Sequence, residues 1–116
     1  MSDHSVKKID SSASPHGAMG QKYLASGKAL SMRLWEEAAG EPHRGTAGEP
    51  HVRDYETVGY VVSGAVEIHV GEDVITCRQG DSYLVPDGAE RQYVVLDDLV
   101  AVEATSPPAE VHGRDA

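Results

Sequence analysis

A chain of 116 residues and 12.4 kDa is the size of one domain, not two. Ten Lys and Arg stand against 19 Asp and Glu, a formal net charge of -9, which argues against DNA, RNA or an anionic membrane as partner, since each requires a basic footprint. The longest strictly aliphatic run is Leu99 to Val102, far below the roughly 20 residues of a membrane span, and Cys77 as the single cysteine excludes an internal disulfide or a multi-cysteine zinc site. Residues 1–20 are polar and rich in Ser and Gly, with neither a hydrophobic period nor the apolar stretch of a signal peptide. They read as a disordered N-terminal segment, and a cytoplasmic location is the default expectation. Residues 21–108 carry the pattern of a barrel domain, and 109–116 the composition of a surface tail.

Within the domain the period is two. In KALSMRLWEE, Leu30, Met32 and Leu34 alternate with Ser31, Arg33 and Trp35. This alternation predicts the three aliphatic residues in the core and Trp35 on the opposite, exposed face, available as an interface anchor. Residues 38–50 are too rich in Gly and Pro for a strand and read as a loop. In AVEIHV, Val66, Ile68 and Val70 face the core while Glu67 and His69 face out. The runs DVITCR, SYLVP, RQYVVL and LVAVEAT follow, separated by turn residues at 71–73, 79–81, 86–88 and 97–98. Short strands with turns every eight to twelve positions and no convincing helix predict an all-β antiparallel sandwich or barrel.

Two segments hold more than a strand pattern. The first, His51 to Gly64, closes on a glycine; the second, from Gly80, places Pro86 and Gly88 in a Gly-x5-Pro-x-Gly frame, and 15 residues (65–79) separate them. With this spacing the chain resembles the cupin superfamily in its small single-domain form. The resemblance implies a double-stranded β-helix, or jelly-roll barrel, and a metal site at four positions. Those positions fall on His51, Arg53, Thr57 and Arg91, with Glu56 as the shorter-spacing alternative to Thr57. An arginine offers no lone pair, so the expectation is that the usual metal and cofactor are missing; a divalent transition metal on His51 with His43 is the alternative.

By strand alternation Arg53 and Arg91 point inward beside Tyr55 and Tyr93, with Thr57 on the same face. Each buried guanidinium then needs a carboxylate or an anionic ligand. Glu103, which shares parity with Leu99 and Ala101, is the foremost internal partner, ahead of Glu56 and Glu90. The candidate ligand-binding set is therefore His51, Arg53, Tyr55, Thr57, Arg91, Tyr93 and Glu103. Tyr60 and Tyr83 read as packing or interface residues, Cys77 as a small buried apolar residue, and His112 as a tail histidine.

Three functions fit this set. The first is a small-molecule receptor, with an anion held by the forked donors of both arginines. The second is an enzyme, either metal-dependent (dioxygenase or isomerase) or a metal-free epimerase using His51 with Tyr55 or Tyr93. The third is a structural protein with a self-filled barrel. The small core and the resemblance both predict a homodimer.

Overall fold

The period-two pattern becomes six strands in the computed structural model, which describes residues 7–13, 21–39 and 52–108. They are β1 (Lys22–Ser26), β2 (Ser31–Glu37), β3 (Glu56–Val70), β4 (Asp73–Arg78), β5 (Ser82–Val85) and β6 (Arg91–Ser106). A 3-10 turn at Ser11–Ala13 lies beside β1, in the stretch whose composition reads as disordered. The remaining residues of that stretch, 1–6 and 14–20, and the tail, 109–116, lie outside the described residues, as does most of the expected loop. Among the described residues no helix is long and apolar enough to cross a membrane.

Every pairing is antiparallel, in the order β1-β2-β6-β3-β4 with β5 added on β3. The long strands β3 and β6 run side by side, and each serves two layers. In the first layer, residues 56–63 of β3 pair with 100–106 of β6 and residues 57–60 with β5, while β6 carries β2 and then β1 on its other side. In the second layer, residues 65–70 of β3 pair with β4 and with 91–97 of β6. The layers face each other: Trp35 of the first meets Tyr93 of the second edge-to-face, with ring centroids 5.1 Å apart. The fold is an all-β jelly roll.

The bend between layers is set by register shifts between Val61 and Val66. Gly64 adopts φ +86°, and a Cβ there would lie 2.0 Å from the carbonyl oxygen of Asp98, so only glycine lets the two backbones close. The bulge also switches the inward parity of β3, from Thr57 and Val61 before it to Val66 and Ile68 after it. Asp97 and Asp98, expected as a turn, instead lie inside β6 opposite this bulge. Both face solvent at the bend, so the strand continues through them, and Asp98 Oδ1 accepts the backbone N–H of Ala39 at 2.9 Å.

A second correction concerns β2. Ser31, Arg33 and Trp35 are its buried face, while Leu30 and Met32 are exposed and Leu34 is half-buried. The alternation is as read, but the inward face is the polar one. Trp35 therefore packs in the core and is no surface anchor. That core continues through Val61, Val66, Ile68, Val95, Leu99 and Ala101. Cys77 belongs to it, and burial, followed by the nearby charge of Asp81, pushes its thiol pKa up.

Candidate functional site

The interior chemistry follows from one cross-strand row. Register places Tyr83 of β5, Gly59 of β3, Glu103 of β6 and Arg33 of β2 side by side. Gly59 leaves a gap in this row: a Cβ there would sit 2.2 Å from Cζ of Tyr83. The Tyr83 ring lies across that gap, and its hydroxyl donates to Glu103 Oε2. Arg33 Nε donates to the other carboxylate oxygen, Oε1, at 2.7 Å, and Arg33 Nη1 donates to the Tyr55 hydroxyl at 3.1 Å. A buried ion pair is tolerable only when its remaining groups are hydrogen-bonded, and here both carboxylate oxygens are engaged. Burial above all, then the Glu103 charge, raises the Tyr83 hydroxyl well above its ordinary pKa. Burial and Glu103 also raise Tyr93, against the lowering effect of Arg91 and Arg33. Both tyrosines are thus neutral at physiological pH.

The neighbouring row runs Val85, Thr57, Thr105, Ser31. The hydroxyls of Ser31 and Thr105 share a hydrogen bond of 3.1 Å. Thr57 is fully buried, and its Oγ1 has no hydrogen-bond partner among the described residues.

Arg53 and Arg91 are both buried as expected, although Arg53 and Tyr55 lie in the bend before β3 and not on a strand, so alternation accounts for Arg91 alone. Arg91 is only 1% exposed and is fastened by the turn before its strand: Nε donates to Ala89 O at 3.2 Å and Nη2 to Pro86 O at 2.9 Å. Its Nη1 is buried with no hydrogen-bond partner among the described residues. The same turn holds the first motif, because the Gly88 N–H donates to Arg53 O at 3.0 Å. Arg53 Nη1 reaches Val52 O at 3.4 Å, at the outer limit of a hydrogen bond. The guanidinium carbons of Arg33 and Arg91 lie 5.4 and 5.8 Å from the ring centroid of Tyr55, within cation–π range.

Of the candidate residues, Arg53, Tyr55, Thr57, Arg91, Tyr93 and Glu103 all lie on the barrel interior. His51 and His43 lie outside the described residues, as does His112. Three expectations change. The carboxylate of Glu103 is held by Arg33, a residue the sequence reading did not single out, and Arg91 does not present an open fork because two of its nitrogens are held by carbonyls. Tyr83, read as packing, belongs to the Glu103 network. The available signal for Arg33 was a charged residue sharing parity with Trp35; for Tyr83 there was none without the register of β5 on β3. Among the described residues, the fully charged side chains buried in the barrel are three arginines and one glutamate. The interior is therefore cationic inside a chain of net charge -9. Elsewhere, His69 pairs with Glu67 at 2.7 Å on the outer face of β3, and Tyr60 is exposed.

Three of the four residues at the metal positions, Arg53, Thr57 and Arg91, do not fit a metal. Arg53 and Arg91 bring cationic donors without lone pairs, and Thr57 a neutral hydroxyl. Among the described residues no group of three His, Cys, Asp or Glu converges.

Comparison with known proteins agrees with the architecture. The family model of the cupin domain matches residues 38–106. The structure is similar to that of KdgF from Halomonas sp., with a TM-score of 0.72 at 20% identity, covering 89% of this chain and 94% of that one. An RmlC-like cupin from Shewanella frigidimarina gives a TM-score of 0.70 at 20% identity, covering 91% and 92%. The EutQ protein of Clostridium difficile gives 0.68 at 17% identity, covering 95% and 82%. No curated protein sequence matches the chain.

Proposed function

The chain belongs to the cupin family, and from that premise we propose that its barrel is a receptor for a small anionic molecule, a carboxylate or phosphate. The observation that supports this most strongly is Arg91. A guanidinium that is 1% exposed, with two nitrogens fixed by Ala89 and Pro86 carbonyls and Nη1 without an acceptor among the described residues, is a buried charge with no carboxylate bonded to it among them. An anionic oxygen at Nη1 removes that cost through a charge-assisted hydrogen bond. Thr57 Oγ1, on the same interior surface, supplies a second contact, and the Tyr55 ring a flat wall. The raised pKa values of Tyr83 and Tyr93 favour binding over proton transfer, since both hydroxyls are poor acids.

A thermal-shift screen of organic acids and sugar phosphates tests the reading. A ligand specific to the folded state adds about 2.7 kcal/mol at a hundred times its Kd. For a domain of this size that is roughly 10 °C or more in Tm. Arg91→Met keeps most of the volume and is expected to abolish the shift. If no compound stabilises the parent, or if the hit stabilises Arg91→Met equally, the receptor reading fails. The closed Glu103 network favours the runner-up, a barrel filled by its own side chains, and a null screen would leave that reading standing.

A further inference from the structure

At the end of the barrel where Arg91 lies, opposite charges are sorted by depth. The bend at 52–55 and the turn at 86–90 lead into β3 and β6, and the Gly88 N–H joins them by donating to Arg53 O at 3.0 Å. Their acids, Asp54, Asp87 and Glu90, are exposed, whereas the neighbouring arginines, Arg53 and Arg91, are buried. The Gly71 N–H donates to Glu90 O at 3.1 Å, which brings the exposed Glu72 and Asp73 to the same end. Inside, carbonyls hold Nε and Nη2 of Arg91, and Nη1 has no acceptor among the described residues. Thr57 sits against the same segment: it pairs with Val85, and the next residue, Pro86, holds Arg91. The Thr57 hydroxyl likewise has no partner among the described residues.

We infer that the anion this barrel takes is a monocarboxylate and that phosphates are turned away, an inference that rests on the receptor reading above and narrows it. Donors come first. One guanidinium nitrogen and one hydroxyl answer the two oxygens of a carboxylate, each with a charge-assisted hydrogen bond. A phosphate monoester presents three terminal oxygens and, with a second pKa of about 6, close to two charges at neutral pH. An oxygen and a charge are then left over. The interior has no second charge to give. Arg33 is already matched by Glu103, and Arg53 lies nearer the surface, next in the chain to the exposed Asp54. A monoanion therefore brings Arg91 to neutrality. A dianion leaves a negative charge in a barrel that also holds Glu103, whose field and that of Arg91 both reach the Tyr93 hydroxyl, and like charges sharing a buried site are costly. The exposed acids act in the same direction, because their repulsion is proportional to the charge on the entering ligand.

Calorimetric titration of the full chain at about pH 8, where phosphate esters are dianions, tests this with matched pairs: acetate against inorganic phosphate, benzoate against phenyl phosphate, and the best hit of the thermal-shift screen against its phosphate or carboxylate counterpart. The carboxylate of a binding pair is expected to be at least about 30-fold tighter than its phosphate. Its binding is lost in Arg91→Met and weakened about tenfold in Thr57→Val. Asp87→Asn combined with Glu90→Gln spares every buried group, and it is expected to narrow the preference by raising phosphate affinity about threefold or more. A phosphate that binds as tightly as its carboxylate partner, and that Arg91→Met abolishes, overturns the inference and leaves the receptor reading intact. A preference left unchanged by the Asp87 and Glu90 double variant overturns the part assigned to the exposed acids. If no member of any pair binds, the receptor reading and the inference fall together.

Discussion

The two layers of the barrel differ in how much polar surface their inward faces carry. In the second layer, Val66 and Ile68 of β3 and Val95 of β6 point inward, while Glu67 and His69 face out. In the first layer, the same two strands turn Thr57, Glu103 and Thr105 inward and leave Val58, Tyr60 and Val62 open. A strand's buried face is therefore not simply its more hydrophobic face. In the second layer, Arg91 aside, the buried residues of β3 and β6 follow transfer free energy, at about 1.5–3 kcal/mol for a large aliphatic side chain. In the first, polar groups are buried because their cross-strand neighbours satisfy them, as Arg33 and Tyr83 satisfy Glu103.

This contrast can be broken at its most costly point, the Arg33–Glu103 pair. Glu103→Ala leaves Arg33 buried without its carboxylate and is expected to lose about 3–5 kcal/mol in urea unfolding. Arg33→Met combined with Glu103→Leu should regain most of that loss, because replacing both partners removes the stranded charge. A loss below about 1 kcal/mol in the single variant would mean that the pair does not organise the first layer. In the second layer, Ile68→Ala is expected to cost about 3 kcal/mol through lost transfer energy and a cavity, and a double variant that regained stability there would contradict the apolar logic of that half.

Titration probes the boundary between the halves, because Tyr83 and Tyr93 come from different layers and both carry raised pKa values. Below pH about 10 folded and unfolded chains are equally protonated at these hydroxyls, and the tyrosine contribution is fully present. Above it the unfolded chain loses protons that the folded barrel retains, so stability falls as pH rises, by about 1 kcal/mol per tyrosine one unit past 10. Tm measured between about pH 8 and 11 should therefore drop, and Tyr93→Phe should reduce the slope by one tyrosine's share. A flat profile would show that both hydroxyls ionise as freely as in the unfolded chain. The smallest effect belongs to Thr57→Val. Its Oγ1 has no protein partner among the described residues, so the change should be neutral or stabilising by up to about 1 kcal/mol. It should also weaken any ligand found for Arg91. A loss above about 2 kcal/mol would place a hidden hydrogen bond at that hydroxyl.

Parity within strands was legible in the sequence, because it depends only on neighbours two residues apart. Thr57 on β3 and Arg91, Tyr93 and Glu103 on β6 face inward as read; Arg53 and Tyr55 are buried too, but from the bend before β3. The choice of face on β2 was not legible. Leu30, Met32 and Leu34 match the pattern of a core, and only the pairing of Arg33 opposite Glu103, 70 residues away in sequence, reverses the reading. The Asp97–Asp98 pair misleads for a similar reason: two acids in succession signal a turn locally, whereas Gly64 across the ladder makes room for a continuing strand. Tyr83 escaped notice because its role depends on the gap at Gly59, which a linear reading does not place beside it. The site was thus visible where it rests on alternation and hidden where it rests on register.

The position of β6 has a consequence for how the protein comes into being. It is the sixth strand in sequence yet lies between β2 and β3 in the sheet, and Ser31 finds its partner in Thr105 only after 74 intervening steps of chain. During synthesis, β2 and β3 therefore emerge with open backbone edges and apolar outer faces long before their shared neighbour exists. Such non-local pairing slows folding to the millisecond-to-second range. Meanwhile the waiting strands are templates for chains other than their own. A polypeptide interrupted before residue 99 is thus not a smaller barrel but two unpaired edges, and its natural fate is capture by a chaperone or a precipitate.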